Sequence, residues 1–90
     1  METELLHEII FEHLEDEIKD ACEYLKEADE AKVEGKYYLA TGLHKIALDE
    51  YSHAHFLREY LIKKETYHVH EHYNDVEEHW HKLREKLGYE

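Results

Sequence analysis

Two long stretches of the sequence repeat apolar residues at intervals of three and four, and in each a charged residue replaces a hydrophobic one. The first stripe consists of Ile10, Leu14, Glu17, Ala21, Tyr24 and Ala28, and the second of Leu39, Leu43, Ile46, Glu50, His53, Leu57 and Tyr60. This spacing places each set on one face of an α-helix. The 90 residues include no proline and only three glycines, so long helices meet few interruptions. The sequence therefore predicts an all-α protein.

Local signals predict where these two helices begin and end. Thr3 is placed to cap a first helix that runs to about Lys32, and Gly35 follows as its C-terminal signal. The second helix is predicted from about Lys36 to Lys64. A link this short makes the two helices an antiparallel hairpin spanning about residues 3–64. Gly42 inside the second helix costs about 1 kcal/mol relative to alanine, and we expect it to allow close helix approach.

A shorter third helix is predicted over about residues 74–87. Asn74 and Glu77 have capping-box spacing, and Gly88 follows the last turn. The apolar stripe of this helix consists of Val76, Trp80, Leu83 and Leu87. We expect that stripe to be buried against the hairpin or a neighbouring subunit. Residues 65–73 are either an extension of the second helix or a short connector.

The charge and the composition limit the classes of function. A net charge of −12 argues against a nucleic-acid partner. The single cysteine, Cys22, excludes an intrachain disulfide, and we expect it to be a small buried hydrophobe. The N-terminus is acidic, and His7 and Glu8 interrupt its apolar run, which fits neither a signal peptide nor a membrane span. We expect one cytoplasmic domain over residues 1–90, with no membrane partner.

The candidate site consists of Glu17, Glu50 and His53, the charged members of the two stripes. Glu-x-x-His spacing recurs at three other places, namely Glu4/His7, Glu65/His68 and Glu78/His81. Only Glu50 and His53 lie within an apolar stripe, with the small residues Ala47 and Ala54 beside them. Core-facing carboxylates and imidazoles are costly to bury unless they are neutralised. A divalent metal is the simplest neutralising partner, and a polar boundary at the bundle edge is the alternative.

The ligand count predicts a site shared between two copies of the chain. Four-helix di-iron carboxylate proteins use one Glu from each of two helices and Glu-x-x-His from each of the other two. One hairpin supplies half of that set. Two copies would give four carboxylates and two imidazoles, which neutralise two divalent ions. Oxygen-rich ligation with one nitrogen per metal favours iron, or manganese as the alternative, over tetrahedral zinc.

These residues resemble the ferritin-like superfamily, and in particular its short rubrerythrin-type and encapsulated-ferritin-like chains. The likeness covers about residues 5–62 and rests on Glu17-Ile-Lys-Asp-Ala-Cys-Glu-Tyr24 and Ala47-Leu-Asp-Glu-Tyr-Ser-His-Ala54. It implies that Glu17, Glu50 and His53 are metal ligands, acting as catalytic residues through the bound metals, and that Tyr24 lies beside the metals. It also implies a homodimer that forms a ferritin-like four-helix bundle. The implied function is ferroxidase activity, with Fe(II) oxidised by dioxygen or peroxide for iron storage or detoxification.

The chain departs from that family in three respects. It carries one hairpin instead of two, lacks a cysteine-rich rubredoxin module, and shows no encapsulin-targeting tail after Gly88, although association with an encapsulin shell stays open. The alternative functions are a non-catalytic metal-binding or structural helical oligomer, and an enzyme that oxidises an organic substrate. Catalysis would need an oxidant path, for which Gly42, Ala47 and Ala54 leave room.

The histidines near the third helix form a further candidate cluster. The set consists of His68, His70, His72, His79 and His81. They suggest a second metal site or a pH switch. The capping signal at Asn74 argues against the single continuous helix that such a site needs. We therefore expect most of them to lie on a solvated face.

Overall fold

A computed structural model describes the backbone of residues 2–90 and the side chains of residues 5–90. It contains three α-helices and, within residues 2–90, no strand: α1 (Glu2–Val33), α2 (Tyr37–Lys63) and α3 (Tyr73–Leu87). The domain is elongated, measuring 51 × 23 × 17 Å. None of the described helices offers an apolar stretch sufficient to cross a membrane. The predicted all-α class and the three helices are confirmed, with helix bounds within a few residues of those expected.

The antiparallel pairing of α1 and α2 forms the centre of the molecule. The buried face of α1 consists of Phe11, Leu14, Ile18, Ala21, Leu25, Ala28 and Ala31. In α2, Ala47, Ala54 and Leu61 are buried at intervals of seven. Two alanines at the contact let the helix backbones approach closely. Gly42 plays no part in that approach, since an added Cβ there would have no neighbour within 4 Å. The role predicted for Gly42 was therefore wrong.

The buried faces are rotated relative to the predicted stripes. In α1, Ile10, Glu17 and Tyr24 are only half-buried, and Phe11, Ile18 and Leu25, one residue further along, take the buried positions. In α2, Ala47 and Ala54 occupy the centre of the contact, and Leu39 and Ile46 stay exposed. The charged residues therefore lie at the edge of the hairpin and not in its centre. Their predicted position in the middle of a buried stripe was wrong for the single chain.

All three helices end in the same backbone motif, in which a residue with positive φ closes the last turn. Gly35 has φ 77° after α1 and Gly88 has φ 84° after α3, and both were predicted as helix ends. The corresponding residue after α2 is Glu65, with φ 57°. The N–H of Thr66 bonds to the carbonyl of Leu61 at 3.0 Å, and the N–H of Glu65 bonds to that of Ile62 at 3.0 Å. Residues 64–72 then form a connector of turns.

The third helix packs along one side of the hairpin. Val76, Trp80 and Leu83 are buried and Leu87 is partly buried, as predicted. The residue preceding α3 is His72, which makes no side-chain cap. The predicted Asn74–Glu77 capping box is absent because α3 begins at Tyr73, which places Asn74 inside the first turn and not before it. The capping role predicted for Thr3 lies outside the described side chains.

Candidate metal site

Glu17, Glu50 and His53 come together near the midpoint of the hairpin. Each offers one ligand atom, and the three atoms lie within 4.8 Å of one another. Glu17 lies near the middle of α1, and the antiparallel pairing brings the middle of α2 beside it. His53 follows Glu50 by three residues, so the two side chains lie on the same face of α2. Among the described side chains this is the only cluster of three such residues with ligand spacing.

One carboxylate oxygen in this cluster lacks a partner. Glu17 Oε2 is buried and accepts no hydrogen bond. The His53 ring lies beside this carboxylate, with its Nδ1 3.5 Å from Glu17 Oε2. The His53 side chain is 60% exposed, whereas that of Glu17 is 26% exposed. The cluster therefore has a buried side, formed by Glu17, and a side that opens to the surface through His53.

Proton binding at Glu50 reflects this crowding. The hydrogen bond that a protonated Glu50 would donate to Glu17, followed by burial and by the Glu17 charge, raises the pKa of Glu50 to about 7. The His53 charge acts in the opposite direction but is weaker. Ionised carboxylates only accept hydrogen bonds. A proton on Glu50 or a cation in the cluster would therefore provide a partner for the Glu17 carboxylate.

The donor set suits a cation that prefers oxygen with some nitrogen. Two carboxylates and an imidazole are typical ligands of Fe and Mn, and zinc sites are more often rich in thiolate or imidazole. Ligand distances of about 2.1 Å would place the ligand atoms about 3.0–3.4 Å from one another, so two atoms at the observed limit of 4.8 Å would have to move together by more than 1 Å. A buried, unpaired carboxylate oxygen would then acquire a cationic neighbour. The residues therefore fit a divalent metal.

The neighbouring residues singled out in the sequence have different environments. Tyr24, one heptad after Glu17, is half-buried against the core. Ala47 and Ala54 are fully buried between the helices, so no oxidant path opens at them. Cys22 is half-buried on the opposite side of α1, where burial raises the pKa of its thiol. It lines a groove of about 570 Å³ between α1 and α3 and is not part of the candidate site.

The face of the hairpin that carries the cluster is unusually apolar for an exposed surface. We call this face the site flank and define it by Glu17, Glu50, His53 and their exposed neighbours. Leu6, Leu39 and Ile46 share the ligand face, and Phe56 lies three residues after His53. Their exposed fractions are 49%, 50%, 40% and 68% in that order. The site flank therefore carries several exposed apolar side chains along its length.

The histidine-rich segment does not form a second ligand cluster of the same kind. His70 stacks on Phe11 with ring centroids 3.6 Å apart. Its Nε2 lies 3.1 Å from Glu8, and its Nδ1 accepts the His72 N–H. Both ring nitrogens of His70 are therefore engaged in holding the connector against α1. His68, His72, His79 and His81 are exposed, as the predicted solvated face requires.

A polar cluster on the opposite face was missed by the sequence analysis. Arg58 of α2 donates two hydrogen bonds to Glu77 of α3, at 2.5 and 3.2 Å. Tyr67 in the connector is fully buried and donates its hydroxyl to the same carboxylate. The Arg58 guanidinium lies 5.4 Å from the Tyr67 ring and 5.3 Å from the Trp80 ring. We call this face, covered by α3, the α3 flank.

The charge state of Glu77 explains how this cluster is stable. Burial alone would raise the pKa of Glu77, but hydrogen bonds from Arg58 and Tyr67 outweigh it and lower that pKa. Burial and the bond to Glu77 raise the pKa of the Tyr67 hydroxyl. The sequence offers one signal for this cluster, which is Arg58, the single arginine of α2. A partially buried arginine usually requires an acidic partner.

No protein-family model, curated protein or solved structure that was compared with the chain matches it. The function must therefore be argued from the residues themselves.

Proposed function

We propose that this chain is a ferritin-like di-iron carboxylate protein that acts as a ferroxidase, with the metal site completed by a second copy. The observation that carries the proposal is the buried, unpaired oxygen of Glu17 within a cluster of two carboxylates and one imidazole. A buried acceptor without a partner costs about 1–3 kcal/mol. A bound cation would remove that cost.

The ligand count supports a shared site. One chain offers three ligand atoms, which is half of the set that di-iron carboxylate bundles use. Two copies facing each other across the site flank would supply four carboxylates for two divalent ions, so that the charges balance. The same contact would cover the apolar residues Leu39 and Ile46, which the single chain leaves exposed.

Each ligand would have a separate task. Glu17 lies on the buried side and would hold its metal from within the hairpin. Glu50 changes from a partly protonated acid to a carboxylate ligand on metal binding and so releases a proton. His53, at the exposed side, would supply the nitrogen ligand. Iron bound in this set would supply the electrons that reduce dioxygen or peroxide, and the covered flank would limit access of bulk water.

The alternative is a structural helical oligomer without metal turnover. One observation favours it: the pKa of Glu50 is raised to about 7, so a proton on Glu50 can remove one of the two carboxylate charges without any metal. The two functions differ in what the purified protein binds. The structural alternative requires dimerisation that is independent of chelators, whereas a shared metal site links dimerisation to metal by mass action.

The test combines metal analysis, mass in solution and Fe(II) oxidation. We expect one iron per chain, a dimer that chelation weakens, and oxidation of Fe(II) well above the rate in buffer. Glu17→Ala, Glu50→Ala and His53→Ala should each reduce oxidation to the buffer rate, because each change removes two ligands per dimer. Glu78→Ala is the matched control, since Glu78 and His81 share the Glu-x-x-His spacing on an exposed face.

Two results would overturn the proposal. One is a wild-type protein that oxidises Fe(II) no faster than buffer. The other is a Glu78→Ala control that loses activity as completely as Glu50→Ala, since the effect would then not depend on the cluster. A monomer that binds two irons by itself would refute the shared site.

A further inference from the structure

Residues 89 and 90 fold back over the α3 flank after the last turn of α3. Gly88 closes that turn with φ 84°, and the N–H of Tyr89 bonds to the carbonyl of Arg84 at 2.9 Å. The Tyr89 ring lies against Tyr51 of α2, with ring centroids 5.1 Å apart. Tyr51 in turn stacks on Trp80, with centroids 4.9 Å apart. Tyr89 therefore lies against an aromatic pair that joins α2 to α3.

Two side chains of α3 hold this segment in place. Arg84 donates from Nε to the Glu90 carboxylate at 3.0 Å and from Nη2 to the Tyr89 carbonyl at 3.3 Å. Its Nη1 donates to the Tyr51 hydroxyl of α2. His81 Nδ1 lies 2.7 Å from Glu90 Oε2, the oxygen that Arg84 also binds. We refer to the bonds that His81 and Arg84 make with residues 89–90 as the 89–90 contact.

The His81 ring has a carboxylate at each of its two nitrogens. Nδ1 faces Glu90, and Nε2 lies 3.1 Å from Glu77 Oε1. A neutral imidazole has one N–H and one lone pair, whereas an imidazolium has two N–H groups, and ionised carboxylates only accept hydrogen bonds. Both contacts are therefore hydrogen bonds only when His81 is protonated.

Loss of the His81 proton should act on Glu90 and not on Glu77. Glu77 is also held by Arg58 and Tyr67, and its side chain is 17% exposed, against 34% for Glu90. A lone pair that faces a carboxylate oxygen repels it, and Glu90 can move into water whereas Glu77 cannot. Arg84 alone would then hold the segment, and ion pairs at the surface contribute little.

The titratable groups near His81 come from every element beside it. They are Glu77, Glu78, Lys82, Arg84 and Glu85 of α3, Tyr51 and Arg58 of α2, Tyr67 of the connector, and Glu90. Lys82 pairs with Glu78 at 3.0 Å. Arg58 binds Glu77 and Arg84 binds Glu90, so these guanidiniums are connected to the ring through the same two carboxylates.

We propose that His81 makes the 89–90 contact dependent on pH: the imidazolium holds Glu90 against α3, and loss of its proton releases residues 89–90 and uncovers the Tyr51 ring. This inference goes beyond the proposed function and involves no metal. Histidine side chains change charge between about pH 5 and 8. The hydrogen bond from His81, with smaller contributions from the charges of His81 and Arg84, lowers the pKa of the Glu90 side chain below its usual 4.5. Glu90 therefore stays ionised throughout that range.

Nuclear magnetic resonance of the metal-free protein tests the proposal. At pH 5 we expect a nuclear Overhauser cross-peak between the Tyr89 and Tyr51 rings. The fraction of molecules with the 89–90 contact should fall by about fivefold at pH 8, because a charge-assisted hydrogen bond is lost. The midpoint of this change should coincide with the titration of the His81 ring, followed in the same samples.

Variants assign the change to His81. His81→Ala should lose the cross-peak at both pH values, and Glu90→Gln should do the same with the His81 ring still present. His79→Ala is the matched control, because His79 is exposed on the same helix two positions away. Glu50→Gln is a second control, since the pKa of Glu50 is about 7 and Glu50 precedes Tyr51. Both controls should keep the wild-type dependence on pH.

Three results would overturn the proposal. The first is a wild-type cross-peak that is equally strong, or equally absent, at pH 5 and pH 8. The second is a dependence on pH that persists in His81→Ala, and the third is one that disappears in Glu50→Gln, since another group would then cause it. Because these samples contain no metal, their outcome does not depend on the ferroxidase proposal.

Discussion

The two flanks of the hairpin differ in how completely the chain covers them. On the α3 flank, Trp80 and Tyr67 are buried, and the charges of Arg58 and Glu77 neutralise each other through direct hydrogen bonds. On the site flank, Leu39 and Ile46 are exposed, and a buried oxygen of Glu17 has no partner. The same hairpin thus has one flank that its own chain covers and another that the chain leaves partly exposed. Carboxylates occur on both flanks, but only the α3 flank supplies a guanidinium to pair with them.

The largest expected effect concerns the aromatic core of the α3 flank. Trp80→Ala should lower the free energy of unfolding by about 3–5 kcal/mol, since Trp80 is buried and stacks on Tyr51 with ring centroids 4.9 Å apart. Urea unfolding followed by circular dichroism measures it, with Trp80→Phe as a milder variant should the alanine variant be unfolded. Phe56→Ala on the site flank is the control and should change the stability of the metal-free protein by less than about 0.5 kcal/mol. Equal losses at the two positions would contradict the difference between the flanks.

A smaller effect is expected where the charges of the α3 flank are paired. Glu77→Gln should cost about 2 kcal/mol, because Arg58 and Tyr67 lose a charged acceptor and the guanidinium stays partly buried. Thermal unfolding at neutral pH would measure the loss. Glu78→Gln, one residue away and exposed, should leave the melting temperature unchanged. If both substitutions lower the melting temperature equally, the hydrogen bonds to Glu77 do not stabilise the protein.

A fall in pH should destabilise the α3 flank because it protonates the Glu77 carboxylate. The pKa of Glu77 is lowered in the folded protein, so its contribution is present above the unfolded pKa of 4.5 and is lost as pH falls through the lower folded value. Urea midpoints of the wild type and of Glu77→Gln should therefore converge as pH falls from 6 to 3. A difference between the two proteins that stays constant over this range would show that Glu77 ionisation does not stabilise the fold.

A substitution in the turn that follows α2 should increase the stability of the protein. Glu65 adopts φ 57°, a conformation in which a residue with a side chain is strained and glycine is not. Glu65→Gly should therefore stabilise the protein by up to about 1 kcal/mol, and Glu65→Ala should not. Chemical unfolding of the two variants makes the comparison. Destabilisation by the glycine variant would indicate that the Glu65 side chain is needed there.

The smallest expected effect lies on the site flank and has the opposite dependence on pH. The pKa of Glu50 is raised to about 7 in the folded protein, so its contribution is present below the unfolded pKa of 4.5 and is lost as pH rises through about 7. In the metal-free protein, Glu50→Gln should therefore increase stability at pH 8 relative to the wild type. The gain should be below about 1 kcal/mol, because solvent screens this partly exposed pair.

The test of this prediction compares the stability of the two metal-free proteins at two pH values. Urea unfolding of the metal-free wild type and of Glu50→Gln at pH 5 and pH 8 should show a gain only at the higher pH. The same variant should lose Fe(II) oxidation. A gain in stability of equal size at pH 5 would show that repulsion between the Glu50 and Glu17 charges does not cause the gain.

The helices, the hairpin and the three residues of the candidate cluster were predicted from the sequence alone. Apolar spacing and the signals at Gly35 and Gly88 depend on local geometry, which a single chain segment contains. The end of α2 was not predictable in the same way, because Glu65, a residue that rarely adopts positive φ, closes that turn. Among the described side chains, Glu50 and His53 are the Glu-x-x-His pair that lies in a cluster with Glu17, and their role as metal ligands stays a prediction.

The tertiary structure decided which side of each helix is buried and where its charges find partners. In α1 the buried face is displaced by one residue from the predicted stripe, which places Glu17 at the edge of the hairpin. Phe11, Ile18 and Leu25 offer more apolar area for burial than Ile10, Glu17 and Tyr24, because Glu17 carries a carboxylate. The bond between Arg58 and Glu77 joins residues nineteen positions apart in different helices, and no periodicity within one helix specifies such a pair. The sequence determines the faces that each helix offers, and the packing of the three helices determines which of those faces stays open.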